Sequence, residues 1–320
     1  MTVSEKEKQS APIKYSNRAG VRSFEPIIRL FGTPKYGTVD PTPFVAFFFP
    51  LFFGVILGDM GYALVVMAFA FWLRRRYRDI ELVQNLTVIL TLASISSFFF
   101  GFVYGEFFGD LPHRLHLIKE FHFMSMEFPI DRQNDALMTT LFFAVALGGA
   151  HILLGLIIGM INAARANNHK HFAEKLGLIM TLLGLVALAI SLLPNVSIPL
   201  KTPGIIMMTI ALPLIIYGGG FLGVLEIVGT LGNVMSYARI MALGLVSVVL
   251  ASLANQAGAS FGDNLWIGIL LAAFIHLINI IIHVFTPSIH ALRLNFVEFY
   301  GKFYESGGTE YKPFQRGGRK

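Results

Sequence analysis

The sequence has 320 residues, of which 55% are hydrophobic and only 14% are charged, and its mean hydropathy is +0.66. This composition excludes a soluble globular domain, because about a quarter of the residues in an average soluble domain are charged. The net charge of +6 does not indicate nucleic-acid binding, since the basic residues lie beside apolar stretches. Cysteine is absent, which excludes disulfides and thiolate metal sites, and we expect neither a metal nor a cofactor.

The chain begins with a mostly polar segment and continues with apolar stretches. Residues 1–43 contain no apolar signal-peptide core, so we predict a cytosolic N-terminal segment. A helix needs roughly 20 residues to span a bilayer. Judged against that length, seven stretches are candidates to enter a membrane, at approximately 44–73, 83–108, 137–162, 176–193, 204–217, 219–256 and 264–292. Their Leu, Ala, Met and Phe content favours helices over barrel strands. We predict an all-α membrane protein with a membrane domain at 44–305 and a cytosolic tail at 306–320.

The positions of Lys and Arg predict how the chain crosses the membrane. Of the 25 basic residues, 20 fall in four regions, which are 1–43, 74–82, 163–175 and the chain from Arg293 onward. Because short basic loops remain on the cytosolic side, we expect all four regions there. The stretch 44–73 must then cross the membrane twice.

Glycines mark two predicted turns in this topology. Gly58 and Gly61 flank Asp59, which is able to cap the second helix of a hairpin within 44–73. The run Gly218-Gly219-Gly220 separates the stretch 204–217 from the helix that follows it. We therefore predict about eight transmembrane helices, with both ends of the chain in the cytosol.

The last two predicted helices are longer than a membrane requires. The stretch 219–256 would form a straight helix of roughly 55 Å, whereas the hydrocarbon core is about 30 Å thick. The final helix continues amphipathically past Arg293 to about Tyr304. We expect both helices to be strongly tilted, to bend or to project from the bilayer.

The final helix carries a stripe of polar residues. The spacings between them alternate between three and four, so all lie on one helical face; they are His276, Asn279, His283, Thr286, His290 and Arg293. A single membrane His is usually a satisfied core residue. A stripe of this length favours a solvated or proton-conducting face instead.

The preceding helix carries a second stripe and a lone arginine. The stripe comprises Glu226, Thr230, Asn233 and Tyr237. Arg239 lies about 20 Å further along the helix axis than Glu226 and points about 140° away from it, which argues against a salt bridge between the two. Within the chain, Asp59 and Glu106 remain candidate partners. The sharper hypothesis is that Arg239 faces a carboxylate on another protein, because an uncompensated membrane arginine is costly.

Several motifs resemble a known family over nearly the whole chain from about Ile13 onward. They are Phe31-Gly-Thr-Pro-Lys-Tyr-Gly-Thr-Val-Asp-Pro-Thr-Pro-Phe44, Gly58-Asp-Met-Gly-Tyr62, Tyr104-Gly-Glu-Phe-Phe-Gly109, Ser236-Tyr-Ala-Arg-Ile-Met-Ala-Leu-Gly-Leu245, His290-Ala-Leu-Arg-Leu-Asn-Phe-Val-Glu298, Tyr304-Glu-Ser-Gly-Gly308 and Tyr311-Lys-Pro-Phe314. These motifs closely resemble the membrane half of the stator subunit of V-type and A-type rotary ATPases. That subunit is called subunit a in eukaryotes and subunit I in archaea and bacteria.

The resemblance implies ion translocation without catalytic chemistry on this chain. Arg239 matches the arginine that faces the ion-binding carboxylates of a rotating proteolipid ring, and Arg293 matches a second arginine, with His290 one turn before it. Two half-channels are expected, with Glu226 and Asn233 in the cytosolic one.

The outer half-channel is less well defined by the resemblance. His276, Asn279 and His283 are its candidates, since eukaryotic members have a His where Ser247 stands and a Glu where His283 stands. Secondary candidates for the pathway are Asp59, Glu106, Ser236 and Ser247. The histidines favour protons over sodium.

The resemblance also implies partners. Family members carry a large cytosolic domain where this chain has about forty residues, so we expect a separate soluble stator chain or a truncated form, together with peripheral-stalk and central-stalk subunits. The short outer loops predict the plasma membrane of a bacterium or archaeon. The alternatives are a secondary transporter, which predicts an inverted repeat, and a membrane anchor that does not conduct.

Overall fold

The computed structural model describes residues 11–115, 121–123, 126–128, 132, 137–192, 199–261 and 264–311. The outermost parts of the predicted terminal segments, 1–10 and 312–320, lie outside the described residues. Helices dominate the described part of the chain. They are α1 (Ala19–Arg22), α2 (Glu25–Arg29), α3 (Thr42–Leu57), α4 (Met60–Arg76), α5 (Glu81–Tyr104), α6 (Leu111–Arg114), α7 (Leu137–Arg165), α8 (His169–Ser191), α9 (Lys201–Met235), α10 (Ala238–Ala259) and α11 (Leu265–Arg293).

The chain divides into two compact units. Unit 1 comprises Met1–Pro43, Leu153–Thr230 and Phe299–Lys320, and unit 2 comprises Phe44–Ile152 and Leu231–Glu298. The predicted boundaries at residues 43 and 305 concern sides of a membrane, and they stay a prediction.

Short strands tie the two ends of unit 1 together. Strand β1 (Pro12–Ile13) pairs in parallel with strand β4 (Thr309–Glu310). Nearby, the side chains of Lys35 and Glu305 form an ion pair of 2.8 Å, and the Tyr304 hydroxyl donates to the carbonyl of Gly32. In unit 2, β2 (Phe121–Phe123) and β3 (Met126–Phe128) form an antiparallel pair.

The predicted hairpin break within 44–73 is confirmed. Helix α3 ends at Leu57 and α4 begins at Met60. Gly58 has a φ of 46°, a left-handed conformation that favours glycine. The Asp59 carboxylate caps α4 by accepting a hydrogen bond of 2.9 Å from the Tyr62 N–H, as the sequence predicted.

The predicted turn in the glycine run is also confirmed. Gly220 has φ 59° and ψ −146°, which interrupts the helical conformation of α9. A Cβ added to Gly223 would lie 2.9 Å from the carbonyl oxygen of Ile215, eight residues earlier. In a straight helix, residues eight apart are about 12 Å apart, so the chain reverses at Gly220.

The long predicted helix at 219–256 is interrupted, and a bend was one of the outcomes expected from its length. Helix α9 ends at Met235 and α10 begins at Ala238. Between them the Tyr237 N–H donates to the Val234 carbonyl and the Ile240 N–H to the Tyr237 carbonyl, a tighter three-residue pattern. The Ser236 hydroxyl donates back to the Gly232 carbonyl, and such side-chain bonds commonly bend helices.

The final helix does continue past Arg293, as predicted. A π-helix at Leu294–Phe299 and a 3₁₀ turn at Tyr300–Lys302 extend α11. The change of helix type follows Arg293 directly, and it alters which residues share a face beyond that point.

Length and composition allow several of these helices to cross a membrane. Five stretches of the described chain meet both criteria, and they are Glu81–Tyr104, Leu137–Arg165, His169–Ser191, Lys201–Ala259 and Trp266–Lys302. Helix α3 is a shorter apolar helix. The chain is therefore a multi-pass membrane protein, while the count of eight crossings and the strong tilt stay predictions.

Candidate functional site

Arg239 lies in the first turn of α10 and has a carboxylate partner within its own unit. Its Nη1 atom is 3.8 Å from Oε1 of Glu298, and its side chain is 24% exposed. The same Oε1 atom is 3.7 Å from Nε of Arg293, whose side chain is 53% exposed. Glu298 itself is only 2% exposed. The cluster thus holds two arginines around one buried carboxylate, and we call it the arginine cluster.

The π-helix explains how Arg293 and Glu298 reach the same side of the chain. They are five residues apart, and in an α-helix residues with that spacing point about 140° away from each other. A π-helix instead pairs residue i with residue i+5. The π-helical turns that begin at Leu294 therefore bring Glu298 beneath Arg293. Helical periodicity in the sequence gives no sign of this contact.

The ion pairs in the arginine cluster are longer than hydrogen bonds. Within the described part of the chain, three buried polar atoms of this region have no hydrogen-bond partner: Nη1 of Arg239, Oε2 of Glu298 and Nδ1 of His290. Most buried polar atoms in native proteins are hydrogen-bonded. The cluster is therefore held by charge, with donor and acceptor capacity left over.

Asp59 and Glu106, the candidate partners of Arg239, are engaged elsewhere. Besides capping α4, the Asp59 carboxylate accepts hydrogen bonds of 3.0 Å from the Phe108 N–H and 2.6 Å from the Gly109 N–H. These hydrogen bonds hold the turn that follows α5 against the start of α4. Asp59 is thus a structural acceptor in unit 2.

Glu106 forms a buried ion pair with Arg132. The Arg132 Nε and Nη2 atoms donate to the two Glu106 oxygens at 2.8 and 2.5 Å. Both side chains are almost fully buried, and Arg132 also lies over the ring of Tyr104. Its Nη1 atom donates to the carbonyls of Val55 and Ile56, and Nη2 also donates to that of Leu57, at the end of α3. No pattern in the sequence indicates this pairing.

His276, the first residue of the predicted stripe on α11, forms hydrogen bonds within unit 2. The Nδ1 atom of His276 is 2.7 Å from the Tyr62 hydroxyl, and its Nε2 atom is 3.1 Å from Oδ1 of Asn255. The Asn255 amide in turn donates to the Asp110 carboxylate at 2.7 Å. These contacts form a continuous polar chain from Asp110 to Tyr62, and periodicity within one helix could not reveal it.

Two further members of the stripe face α10. The Asn279 amide donates to the Leu250 carbonyl at 3.1 Å, and Nε2 of His283 is 3.2 Å from the Ser247 hydroxyl. The pairing of Ser247 with His283 joins the two positions at which the sequence departs from the eukaryotic members. Asn279 and His283 are both buried, so this part of the stripe is an internal polar chain rather than a solvated face.

The predicted stripe on the preceding helix separates into distinct contacts. Tyr237 is buried, and its hydroxyl is 2.6 Å from Nδ1 of His151. Asn233 and Ser236 are half-buried. Glu226 and Thr230 instead belong to a cluster in unit 1.

The cluster in unit 1 holds Glu226 between two lysines, and we call it the lysine cluster. The Nζ atom of Lys175 is 3.0 Å from Oε1 of Glu226, and that of Lys302 is 3.8 Å from the same oxygen. Lys302 is 5% exposed and donates a 2.8 Å hydrogen bond to the Thr230 hydroxyl. Both lysines also line a cavity of about 500 Å³ within unit 1.

Comparison with known proteins agrees with the resemblance drawn from the motifs. Residues 1–119 match the V-type ATPase 116kDa subunit family, a range that contains the motifs at 31–44, 58–62 and 104–109. The chain is 34% identical to A-type ATP synthase subunit I of Archaeoglobus fulgidus, with 97% of this chain and 54% of the relative covered.

Other relatives carry related names. Subunit I of the A-type ATP synthase of Methanocaldococcus jannaschii is 28% identical, with 98% of this chain and 50% of the relative covered. V-type ATP synthase subunit I 2 of Treponema pallidum is 34% identical over 49% of this chain and 37% of its own length. The chain spans about half the length of the two archaeal relatives. It belongs to the family of membrane subunits that includes the V-type ATPase 116kDa subunit and A-type ATP synthase subunit I.

Proposed function

We propose that this chain is the membrane stator subunit of a rotary V-type or A-type ATPase, forming two ion half-channels against a proteolipid ring. The observation that carries the proposal is Arg239 itself, a partly exposed guanidinium held only by a 3.8 Å contact with Glu298, in a helical stretch long and apolar enough to cross a membrane. Charged groups at that depth are costly and usually functional. A carboxylate supplied by a neighbouring subunit would pair with the exposed side of the guanidinium.

The mechanism moves ions without catalysis by this chain. An ion enters one half-channel, loads a ring carboxylate, travels with the rotating ring and leaves through the other half-channel. Arg239 favours the ionised carboxylate as it passes and repels cations that would leak directly between the half-channels. ATP chemistry belongs to other subunits of the complex.

The polar chains of the two units support an assignment of half-channels. The outer one comprises His276, Asn279, His283 and Ser247, joined by Tyr62, Asn255 and Asp110. For the cytosolic one, the family resemblance supports Glu226 and Asn233. His290 and Arg293 flank Arg239. Imidazoles and hydroxyls in hydrogen-bonded contact suit proton relay, so we propose protons as the transported ion.

The proposed partners are those of the relatives' complexes. They comprise the proteolipid ring, a soluble stator domain, and the peripheral-stalk and central-stalk subunits. The archaeal relatives support the plasma membrane of an archaeon or bacterium as the location.

The decisive experiment replaces Arg239 with Ala in the complete complex reconstituted in vesicles. ATP-driven ion pumping should fall to background, while Arg78→Ala, an exposed arginine between α4 and α5, should pump at the wild-type rate. Pumping at the wild-type rate after Arg239→Ala would exclude the stator function. Ion transport that needs no ATP would then favour a secondary transporter, and its absence would favour a membrane anchor.

A further inference from the structure

We infer that Glu298 is a resident counter-ion for Arg239, which leaves the arginine cluster with one unpaired positive charge for one incoming carboxylate. This inference rests on the proposed function and adds to it a role for Glu298, the last residue of the motif at 290–298, to which the resemblance assigns none. Arg239 and Arg293 carry two positive charges, and Glu298 supplies one negative charge to both through a single oxygen. The described surroundings of the cluster therefore fit a monoanionic carboxylate ligand.

The exposure of the three side chains indicates the direction of approach. Glu298 is almost fully buried, whereas Arg239 is partly exposed and Arg293 is half exposed. The carboxylate thus lies behind the arginines, and the arginines face outward from unit 2. An incoming carboxylate would meet them from the open side and would not have to displace Glu298.

The loose geometry supports an exchangeable ligand rather than a fixed ion pair. Arginine binds carboxylates most strongly through two parallel hydrogen bonds, and neither arginine makes such bonds to Glu298. The ion pairs of Glu298 are with the buried Nη1 atom of Arg239 and with Nε of Arg293, and neither is a hydrogen bond. Glu298 reduces the positive potential without saturating the donors, so an incoming carboxylate is attracted and can leave again.

Other groups near Glu298 complete the electrostatic surroundings. Tyr237 and Ser236 face Glu298 from the start of α10 and the turn before it. His290 faces both arginines from the last turn of α11. Histidine is the one residue type among these neighbours whose ordinary pKa lies near neutral pH, so an assay of the cluster must record the whole pH profile rather than one rate.

The test changes the charge of the cluster in both directions within the complete reconstituted complex. Glu298→Gln leaves two unbalanced arginines, so the incoming carboxylate should be held as an anion. We expect slower ATP-driven pumping and a shift of the half-maximal pH toward acid by about one unit, since nearby charges shift titration by about one to three units. Arg293→Gln leaves no surplus charge and should shift the profile toward alkaline pH.

Matched variants separate charge from structure. Glu298→Asp keeps the charge and should resemble the wild type, and Glu305→Gln removes an exposed carboxylate outside the cluster and should leave the profile unchanged. The double variant Glu298→Gln with Arg293→Gln restores a single surplus charge and should return the profile toward the wild-type pH. A structural role for Glu298 would show no such rescue.

The outcomes distinguish this inference from the proposed function. If Arg239→Ala abolishes pumping while Glu298→Gln has the wild-type rate and profile, the role of Glu298 is wrong and the stator function stands. Shifts in the same direction for Glu298→Gln and Arg293→Gln would also overturn it. If the Glu298→Gln complex does not assemble, the Arg293→Gln variant decides: a shift of its pH profile toward alkaline pH supports the inference, and an acid shift or no shift overturns it. Undiminished pumping by Arg239→Ala would remove the proposed function itself.

Discussion

Two carboxylates in this molecule each lie between two cations, and the two clusters differ in how completely they are paired. In the lysine cluster, Glu226 has Lys175 at 3.0 Å, and Lys302 is anchored by a 2.8 Å hydrogen bond to Thr230. In the arginine cluster, both cations remain beyond hydrogen-bond distance of Glu298. We call the first cluster closed because each of its lysines makes a hydrogen bond, whereas neither arginine of the second is hydrogen-bonded to Glu298, which leaves the arginine cluster better fitted to a further carboxylate.

The chemistry of the cations reinforces this difference. Arginine stays charged under all ordinary conditions, and its planar group can bind two carboxylates at different edges. Lysine is a compact point charge, which one carboxylate and one hydroxyl readily satisfy. A fixed positive charge that has to meet passing carboxylates is thus better supplied by arginine. The lysine cluster keeps the partly exposed Glu226 paired.

The largest expected loss of stability comes from a third ion pair, the buried pair of Arg132 and Glu106, whose side chains are hydrogen-bonded directly to each other. Arg132→Met leaves the buried Glu106 without its partner, and breaking a buried pair costs about 3–5 kcal/mol. Thermal or denaturant unfolding of the purified chain in detergent measures the loss. Arg114→Met removes an i,i+4 surface pair with Asp110, and should cost about 0–1 kcal/mol. Equal losses for the two variants would contradict the burial argument.

A smaller effect is expected in the lysine cluster. Lys302→Met removes the hydrogen bond to Thr230 and one of the two cations at Glu226, while Lys175 remains. We expect a loss of about 1–3 kcal/mol, the cost of leaving a buried polar group unsatisfied, measured by the same unfolding assay. Lys170→Met, which replaces an exposed lysine in the first turn of α8, serves as control. A Lys302→Met variant as stable as this control would show that the cluster is not closed.

The smallest effect on stability is expected in the arginine cluster. Glu298 is buried, but Gln has the same shape and keeps one acceptor oxygen, and the two arginines are partly exposed and can be hydrated, so the loss should be about 1 kcal/mol rather than the several expected when a buried charge loses its partner. Unfolding of this variant beside Lys302→Met compares the clusters directly. If Glu298→Gln proves the more destabilising of the two, the arginine cluster is a structural element and the contrast drawn above fails.

The sequence predicted the features that depend on local chemistry. The cap by Asp59, the reversal at Gly220 and the extension of the final helix beyond Arg293 follow from glycine conformation, capping and periodicity, and all are confirmed. The helical phase that separates Arg239 from Glu226 is consistent with their having different partners in the structure. The family resemblance is confirmed as well.

The features that were missed depend on contacts between distant segments or on irregular helices. The contact of Glu298 with Arg293 was not predicted, because in an α-helix the two side chains point in different directions. No residue pattern in 294–299 indicates a π-helix. The turn at Ser236 and Tyr237 lies within an apolar stretch that reads as continuous. The pairing of Arg132 with Glu106 joins residues separated by a loop, and no periodicity connects them.

The π-helix at Leu294–Phe299 makes this part of the chain sensitive to its length. Deleting one residue there would allow an ordinary α-helix to form, and every later residue would turn by about 100° relative to the helix before it. Glu298 would move away from Arg293, and Lys302, four residues further on, would lose its direction toward Thr230. A substitution at the exposed Val297 should be tolerated far better than a single insertion or deletion, whereas the other five residues of the segment are buried.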